Sequence, residues 1–315
     1  MPKDAAAGLA GESVLVTGAG GFIGSTVVAA LLQRGAKVRA LAGAPGQDTS
    51  NLPAGLAPVH ADIGDQAALL ELSAGASIAI HLAGPPSVGA SFEAPLEYGR
   101  VHAGGTLGML EACRLAGVRR LIYLSSAEVY GRPSVERVAE DHPLGPRSPY
   151  AASKAAAEQY VGAYGRAFGL ETVILRPFSV YGPGLAAGSV LGTIMHQALR
   201  GDEVVLADLA PVRDYVFVSD VVLGILRAVV ASCSGETFNL GSGVGTSVAR
   251  LAQKVLILTG RMLPVRSDPA RRRASEAEIN HLVADPTRAE RVLGWAPVVP
   301  LEEGLGQTLR WMENG

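Results

Sequence analysis

The sequence predicts an α/β protein with a doubly wound parallel sheet of the Rossmann type and a smaller C-terminal α/β lobe for a substrate. Two observations lead to this fold class. Short apolar runs alternate with helical patterns from residue 14 to residue 176, as in a parallel sheet with crossover helices. Beyond residue 188 the alternation becomes less regular, which indicates a second lobe.

Three parts are expected along the chain. Residues 1–11 are rich in Ala and Gly, and we expect a loose tail there. Residues 12–176 are expected to form the dinucleotide-binding domain, with a contribution from residues 213–240. Residues 177–315 are expected to form most of the substrate-binding lobe.

A glycine-rich turn follows the first predicted strand. Residues 14–16 are an unbroken apolar run, typical of a strand buried on both faces, and residues 25–34 read as a helix. Between them stand Gly18, Gly21 and Gly24. The first glycine permits a tight turn, the second lets the backbone approach a pyrophosphate, and the third lets helix and strand pack closely. This context predicts a dinucleotide site rather than an ordinary glycine-rich turn, which is the alternative.

The remaining elements follow in order. Further strands are predicted at residues 38–42, 59–63, 78–84, 120–126, 172–177 and 236–240. Helices are predicted at residues 66–73, 91–117, 150–160, 190–200, 221–231, 248–259, 285–293 and 301–312. Ligands of such sheets bind beyond the carboxyl ends of the strands, so residues at those ends are the candidate site residues.

Composition excludes several functional classes. The 315 residues are 48% hydrophobic with a formal net charge of −2, so neither nucleic acid nor an acidic polymer is an expected partner. Neither a membrane-spanning run nor a signal-peptide pattern is found, so we expect a cytoplasmic protein without a membrane partner. Cys113 and Cys233 are expected to be buried free thiols, and no Cys/His cluster predicts a metal site.

The second strand lacks the acidic residue that holds the adenosine ribose hydroxyls in many NAD sites. Ala42 and Gly43 stand in its place, and no arginine replaces the acid directly. The choice between NAD and NADP as cofactor therefore stays open.

Three side chains predict acid–base chemistry. Tyr150 and Lys154 are four residues apart and share one helix face, and Ser126 ends a strand. A neighbouring ammonium is expected to lower the pKa of the tyrosine, which can then exchange a proton with a sugar hydroxyl or ketone. Hydride would move to or from nicotinamide at the same time. The alternative is an ordinary amphipathic helix with a half-buried tyrosine.

These residues resemble the extended short-chain dehydrogenases/reductases that modify nucleotide-diphosphate sugars, and the resemblance covers nearly the whole chain. The matching stretches are residues 17–24, 62–63, 81–84, 176–183, 213–220, 239–243 and 293–295, together with Ser126, Tyr150 and Lys154. The resemblance implies a nucleotide-sugar substrate. It also implies a homodimer through a four-helix interface.

The resemblance also implies roles for individual residues. The catalytic candidates are Ser126, Tyr150, Lys154 and Glu128. The cofactor-binding candidates are Gly18, Gly21, Phe22, Ile23, Gly24, Asp62, Ile63, Leu82, Ala83, Gly84, Tyr150, Lys154 and Pro177. The substrate-binding candidates are Ser87, Ser126, Ser179, Arg213 and Arg273.

Within that group, residues 125–131 and 268–276 look most like the GDP-4-keto-6-deoxy-D-mannose reductases and their GDP-mannose dehydratase relatives. The chain departs from the family pattern elsewhere. His102 and Ser179 stand where an asparagine is usual, and Pro86 stands where 4-epimerases often have a lysine. His102 is interpreted as a packed or helix-capping side chain without a chemical role.

The expected reaction is reduction of a nucleotide-linked 4-keto-6-deoxyhexose. The first alternative is a 4-epimerase or 4,6-dehydratase that retains its NAD(P), and the second is a non-catalytic dinucleotide-binding regulator. The related dTDP-glucose dehydratases have an Asp-Glu pair where this chain has Ala127 and Glu128. In a reductase Glu128 would bind or orient the sugar. The GDP-mannose dehydratases manage with the glutamate alone, so dehydration stays open as an alternative.

Overall fold

The computed structural model describes residues 8–44, 46–271 and 278–314. Its strands are β1 Ser13–Thr17, β2 Lys37–Leu41, β3 Ile78–His81, β4 Arg120–Leu124, β5 Glu171–Pro177, β6 Ser179–Tyr181, β7 Val204–Leu206, β8 Val212–Phe217, β9 Thr237–Leu240, β10 Gly245–Ser247, β11 Val265–Ser267 and β12 His281–Leu282. Its α-helices are α1 Phe22–Leu32, α2 Gln66–Ser73, α3 Pro95–Tyr98, α4 Gly105–Ala116, α5 Pro149–Phe168, α6 Val190–Arg200, α7 Val218–Val230, α8 Val248–Thr259, α9 Thr287–Leu293 and α10 Leu301–Asn314.

The main sheet has six parallel strands in the order β2-β1-β3-β4-β5-β9, which confirms the predicted fold class. Successive side chains of a strand point to opposite faces, so both faces of a buried strand need a cover. In β1, Val14 and Val16 pack with α1 and α7, whereas Leu15 packs with α2, α4 and α5. The result is a three-layer domain whose strand ends share one edge.

The second lobe is built on smaller sheets. Strand β8 pairs with β6, β10 and β12, and β7 pairs with β11. Helices α6, α8 and α10 share an apolar core through residues such as Leu191, Leu251 and Leu305, all of which are buried. This lobe brings β6 and β8 close to the carboxyl end of β5.

The strand predicted at residues 59–63 is wrong. Val59 makes one isolated parallel bridge with Leu41, and the chain then turns into α2. The turn is held locally, because the backbone N–H of Asp65 donates to the Asp62 carbonyl at 2.9 Å. The Asp62 carboxylate accepts the Gly64 N–H at 2.7 Å as well. Such local bonds compete with the ladder of a sheet.

The continuous helix predicted at residues 91–117 is also wrong. The segment consists of a 3₁₀ turn at Ala90–Phe92, then α3, then a π-helical stretch at Gly99–Gly104, and finally α4. Glycines at 99, 104 and 105 weaken the regular helix, and π-helical turns concentrate at functional sites. The stretch carries His102 into the interior, where the side chain is 1% exposed.

The loose tail expected at residues 1–11 is contradicted at residues 9–11. Residues 1–7 lie outside the described residues, but Leu9 is fully buried in the main core. The Gly11 N–H donates to the Gly35 carbonyl at 2.9 Å, so residues 9–11 are not a loose tail. Cys113 and Cys233 are free and buried, as predicted. None of the described helices combines the length and apolar character needed to cross a membrane.

Candidate active site

The glycine turn between β1 and α1 is a cradle that only glycine can form. A Cβ atom on Gly24 would lie 2.0 Å from the Gly18 carbonyl oxygen, and one on Gly18 would lie 2.8 Å from the Ala83 nitrogen. Gly18 also has a positive φ of 70°. Helix α1 begins at Phe22 with no side chain capping its first N–H groups. The backbone therefore fits a dinucleotide pyrophosphate, which would take up those N–H groups.

A buried histidine ties together the elements beneath this cradle. His81 Nδ1 lies 2.7 Å from Thr17 Oγ1, and His81 Nε2 lies 3.0 Å from Thr106 Oγ1. Burial lowers the pKa of His81 to about 3, with the Lys154 charge acting in the same direction. The imidazole is therefore neutral, and it joins β1, β3 and α4. Leu82, Ala83 and Gly84 follow directly at the end of β3.

Asp62 is held as a carboxylate at the sheet edge. Arg100 donates to both its oxygens, at 2.6 Å and 3.0 Å, and these bonds with the Gly64 N–H lower the pKa of Asp62. A Cβ on Gly105 would lie 2.7 Å from Ile63, so α4 packs directly on that side chain. The cofactor-binding candidates Asp62 and Ile63 therefore sit beside α4, in a turn rather than in a strand.

The position of the missing ribose acid is covered by the loop after β2. Ala42 is 3% exposed, and a Cβ on Gly20 would lie 3.6 Å from the Ala42 methyl and 3.2 Å from the Asp48 carbonyl oxygen. Asn51 Nδ2 donates to the Gly20 carbonyl at 2.8 Å, which fastens the loop to the turn. The side chain at the end of β2 thus carries no charge toward an adenosine ribose.

We expect weak discrimination between NAD and NADP because Ala42 cannot repel a 2′-phosphate. Titration of both dinucleotides by protein fluorescence should give dissociation constants within about tenfold of each other. In the Ala42→Asp variant, the ratio of the NADP to the NAD dissociation constant should rise by at least about tenfold, since a carboxylate repels the 2′-phosphate of NADP. Ala42→Asn is the uncharged control. A wild-type preference for NAD of several hundredfold would contradict the prediction.

Tyr150 lies at the start of α5 in a cluster of rings. Its ring centroid is 5.3 Å from that of His102 and 6.3 Å from that of Tyr98, both edge-on. Burial raises the pKa of Tyr150 to about 12, whereas a hydrogen bond with Ser126 lowers it, and the Glu128 charge raises it. The expected lowering by Lys154 is therefore wrong, because desolvation of the phenolate dominates.

Lys154 points to the end of β4. Its Nζ donates to the Leu124 carbonyl at 2.8 Å and lies 5.0 Å from the centre of the Tyr123 ring. Burial lowers the pKa of Lys154 to about 8, and attraction to Glu158 only partly opposes this. A buried ammonium with one carbonyl partner can donate its other hydrogens to a ligand that enters beside it.

Lys154→Met should stabilise the protein at neutral pH. The pKa of Lys154 in the folded protein is below its unfolded value of 10.5, so burying the charged form lowers the free energy of unfolding. This loss of stability is fully present below pH 8 and disappears as the pH rises to 10.5. Because one pKa unit corresponds to about 1.4 kcal/mol, the fall from 10.5 to about 8 should give the variant a gain of roughly 3 to 3.5 kcal/mol at pH 7. Urea unfolding at pH 7 and pH 10 measures the gain. Equal gains at both pH values would contradict it.

Ser126 and Glu128 form the turn after β4. Ser126 caps the 3₁₀ turn Ala127–Tyr130, since its Oγ accepts the Glu128 N–H at 3.2 Å. Its hydroxyl bonds Tyr150 at the same time. The half-buried Glu128 acts electrostatically on Tyr150, so the structure brings all four catalytic candidates to one place.

The substrate-binding candidates lie on different elements of the protein. Ser179 is on β6 and Arg213 is on β8, which are paired strands that follow the end of β5 at Pro177. Arg213 is 3.7 Å from the Glu278 carboxylate. Ser87 is exposed, and its carbonyl accepts the Tyr98 hydroxyl at 2.6 Å. Arg273 lies outside the described residues.

Sequence reasoning missed a buried polar network behind the site. Arg176 donates to both Glu158 oxygens, at 2.9 Å and 2.6 Å, and to the Tyr130 hydroxyl at 2.8 Å. Tyr130 in turn donates to Asn239 Oδ1 at 2.7 Å. The signal was the position of Glu158 four residues after Lys154, on the same helix face. The network joins α5, β5 and β9 beneath the catalytic turn.

The described residues hold no group of three His, Cys, Asp or Glu side chains that could bind a metal ion. The arrangement therefore offers a dinucleotide cradle, a buried Tyr–Ser–Lys set and a carboxylate, side by side at one sheet edge.

Comparisons with known proteins agree with this geometry. Residues 14–241 match the model of a family described as "NAD dependent epimerase/dehydratase family". A UDP-glucose 4-epimerase of Mycolicibacterium smegmatis is 37% identical over 312 residues, covering 95% of this chain and 98% of that protein. A Thermotoga maritima UDP-glucose 4-epimerase, solved with UDP-glucose, is 31% identical with a TM-score of 0.89, covering 96% of this chain and 99% of that one. A Thermus thermophilus UDP-glucose 4-epimerase in complex with NAD is 32% identical with a TM-score of 0.87, at the same coverage of 96% and 99%.

Proposed function

The chain belongs to the NAD-dependent epimerase/dehydratase family, and on that premise we propose that it inverts C4 of a UDP-linked hexose while its NAD stays bound. It is an enzyme that acts on nucleotide sugars with NAD. The observation that carries the proposal is the buried Tyr150 with its Ser126 partner beside the glycine cradle. The names of the relatives support a UDP-hexose as the substrate and C4 as the carbon that reacts.

This proposal takes up the first alternative of the sequence analysis rather than its main expectation. The relatives reported above are named UDP-glucose 4-epimerases, and they give no specific support to reduction of a GDP-linked ketosugar. A redox-neutral epimerase needs no external reductant, because the hydride that the sugar would give to NAD would be returned to the same sugar. A non-catalytic regulator would have no need for the buried set of Ser126, Tyr150 and Lys154.

Each catalytic side chain has a distinct task in this reaction. The cradle of Gly18, Gly21 and Gly24 would hold NAD, which would supply a hydride acceptor and donor for C4. Tyr150 takes the proton of the C4 hydroxyl as the ketone forms and gives it back when the alcohol is restored on the opposite face. Ser126 donates a hydrogen bond to the same sugar oxygen and orients it. Lys154 donates to the Leu124 carbonyl and keeps its other hydrogens for a ligand hydroxyl that enters beside it.

Dehydration at C5 and C6 is the less favoured reaction. It needs an acid for the departing hydroxyl besides a base at C5, and Ala127 offers only a buried methyl group next to Glu128. Glu128 is half-buried and acts on Tyr150 electrostatically. We assign it to sugar orientation.

The proposal is tested by incubating the purified protein with UDP-glucose or UDP-galactose in D₂O, without added NADH. Interconversion at C4 without deuterium at C4 or C5 is the expected result, read by proton NMR. The same assay with UDP-N-acetylglucosamine and with UDP-glucuronic acid shows which sugar the enzyme accepts. Deuterium at C5 would instead show dehydration or C5 epimerisation. Consumption of NAD(P)H with a 4-ketosugar would show a reductase.

We also propose a homodimer through α4 and α5. These helices are neighbours, and Leu115 and Phe168 at their outer ends are each 55% exposed. Apolar side chains exposed on adjacent helices are typical of interfaces between copies. Light scattering after size exclusion should give twice the mass of 32.4 kDa. The double variant Leu115→Glu/Phe168→Glu should be monomeric, and a monomeric wild type would contradict the proposal.

A further inference from the structure

His102 stands where the family usually has an asparagine, and the structure places it in the middle of the catalytic cluster. It lies in the π-helical stretch Gly99–Gly104 and is 1% exposed. A π-helical turn shifts the side chains that follow it, so this residue reaches the interior between α5 and the end of β3. None of the roles proposed above makes use of it.

One side of the imidazole contacts the first turn of α5. His102 Nδ1 is 2.8 Å from Ser153 Oγ, and the Ser153 hydroxyl donates to the Tyr150 carbonyl at 2.9 Å. The His102 ring also meets the Tyr150 ring edge-on at 84° with 5.3 Å between centroids. His102 is thus connected to Tyr150 twice, through a hydrogen-bonded serine and through direct ring contact.

The other side of the imidazole contacts the end of β3. A Cβ on Gly84 would lie 2.3 Å from His102 Cδ2 and 2.4 Å from Nε2, so any larger residue would collide with the ring. Gly84 has a φ of 146°, which further favours glycine. Nε2 is buried against this backbone without a hydrogen-bond partner among the described residues. The ring therefore fills the space between Gly84 and Tyr150 as a rigid spacer.

The imidazole is also neutral. Burial lowers the pKa of His102 to about 2, and the Lys154 charge acts in the same direction. With so low a pKa the ring carries no imidazolium charge at neutral pH. What it can supply is a fixed distance and one hydrogen bond.

We propose that His102 is a positioning residue that fixes the Tyr150 phenol relative to the Gly84 end of β3. Its ring sets the spacing, and its bond to Ser153 sets the orientation of the turn that carries Tyr150. The phenol is thereby kept within reach of Ser126. This inference rests on the proposed function, because it assumes that Tyr150 transfers the proton.

The first test compares His102→Ala with His102→Asn. For His102→Ala we expect kcat to fall by about 10- to 100-fold with KM within about twofold, since misplacement affects proton transfer more than substrate binding. The hydrogen bond with Ser126 lowers the pKa of Tyr150, so its loss should shift the rising limb of the pH–kcat profile to higher pH by at least about half a unit. His102→Asn can still bond Ser153 and should restore the limb, though not the full rate.

Two results of this comparison would overturn the proposal. One is an unchanged kcat and pH profile in His102→Ala. The other is a fall in kcat that is fully explained by the loss of folded protein, together with an unshifted pH–kcat profile. That outcome would mean that His102 is a merely structural residue. Thermal unfolding of each variant separates these cases.

The second test does not depend on activity. In protein labelled with ¹⁵N-histidine, His102 should stay neutral from pH 5 to pH 9, and its Nδ1 signal should move in the Ser153→Ala variant. Titration of His102 in this range, or no response to Ser153→Ala, would overturn the arrangement. If the wild type failed to epimerise any UDP-hexose while these signals behaved as expected, the proposed function would fail and the placement of His102 would stand.

Discussion

Tyr150→Phe is expected to lower kcat for C4 epimerisation by ~10²–10⁴-fold, the range typical of a lost general acid–base group. The phenol hydroxyl is the only part removed, and the ring keeps its edge-on contacts with Tyr98 and His102. Affinity for the nucleotide sugar should therefore stay within about twofold of wild type. Steady-state kinetics with UDP-galactose and calorimetry with UDP-glucose measure the two quantities.

Tyr160→Phe provides a matched control for this prediction. It makes the same change on the same helix, but Tyr160 is 40% exposed and lies outside the site. Its kcat should equal that of wild type. Full activity in Tyr150→Phe would show that Tyr150 does not transfer the proton. It would also contradict the proposal that C4 reacts beside Tyr150.

Arg176→Met should destabilise the protein by about 3 to 5 kcal/mol, because it leaves the Glu158 carboxylate buried without its partner. The Arg176 and Glu158 side chains are only 7% and 3% exposed, and they are joined by two hydrogen bonds. Urea unfolding followed by circular dichroism measures the loss. The double variant Glu158→Gln/Arg176→Met should recover part of it, since the unpaired Glu158 charge is then removed as well.

An exposed ion pair is the control for this second prediction. Arg266 and Glu203 are 3.4 Å apart, but their side chains are 70% and 45% exposed. Arg266→Met should therefore change stability by less than about 1 kcal/mol. Equal losses in Arg176→Met and Arg266→Met would contradict the importance assigned to burial.

The strand–turn–helix start and the catalytic helix were predictable because their signals are local. Glycines at 18, 21 and 24 follow an apolar run, and the structure shows that backbone atoms occupy the space of the missing Cβ atoms. Tyr150 and Lys154 share a helix face through their spacing alone. Ser148 caps α5 through its bond to the Ala151 N–H, and Gly169 ends the helix with a left-handed conformation.

Burial and long-range contact could not be predicted in the same way. The spacing of Tyr150 and Lys154 does not reveal that the ammonium bonds the Leu124 carbonyl, or that desolvation raises the pKa of the phenol. The helical pattern of residues 91–117 conceals the π-helical stretch, since apolar periodicity survives its interruption by glycines. His102 was accordingly interpreted as a packed side chain, although its contacts extend to Tyr150 and Gly84.

The second lobe contains one buried carboxylate with consequences for motion. Asp214 on β8 accepts hydrogen bonds from the Ser242 N–H and hydroxyl, the Gly243 N–H and the Ala284 N–H, at distances from 2.6 to 3.1 Å. These donors follow β9 of the main sheet and β12 of the smaller one, so a single fully buried side chain fastens three segments. A hinge at this junction would have to break these four hydrogen bonds at every opening. The amides of Ser242, Gly243 and Ala284 should consequently exchange their hydrogens with solvent only upon global unfolding.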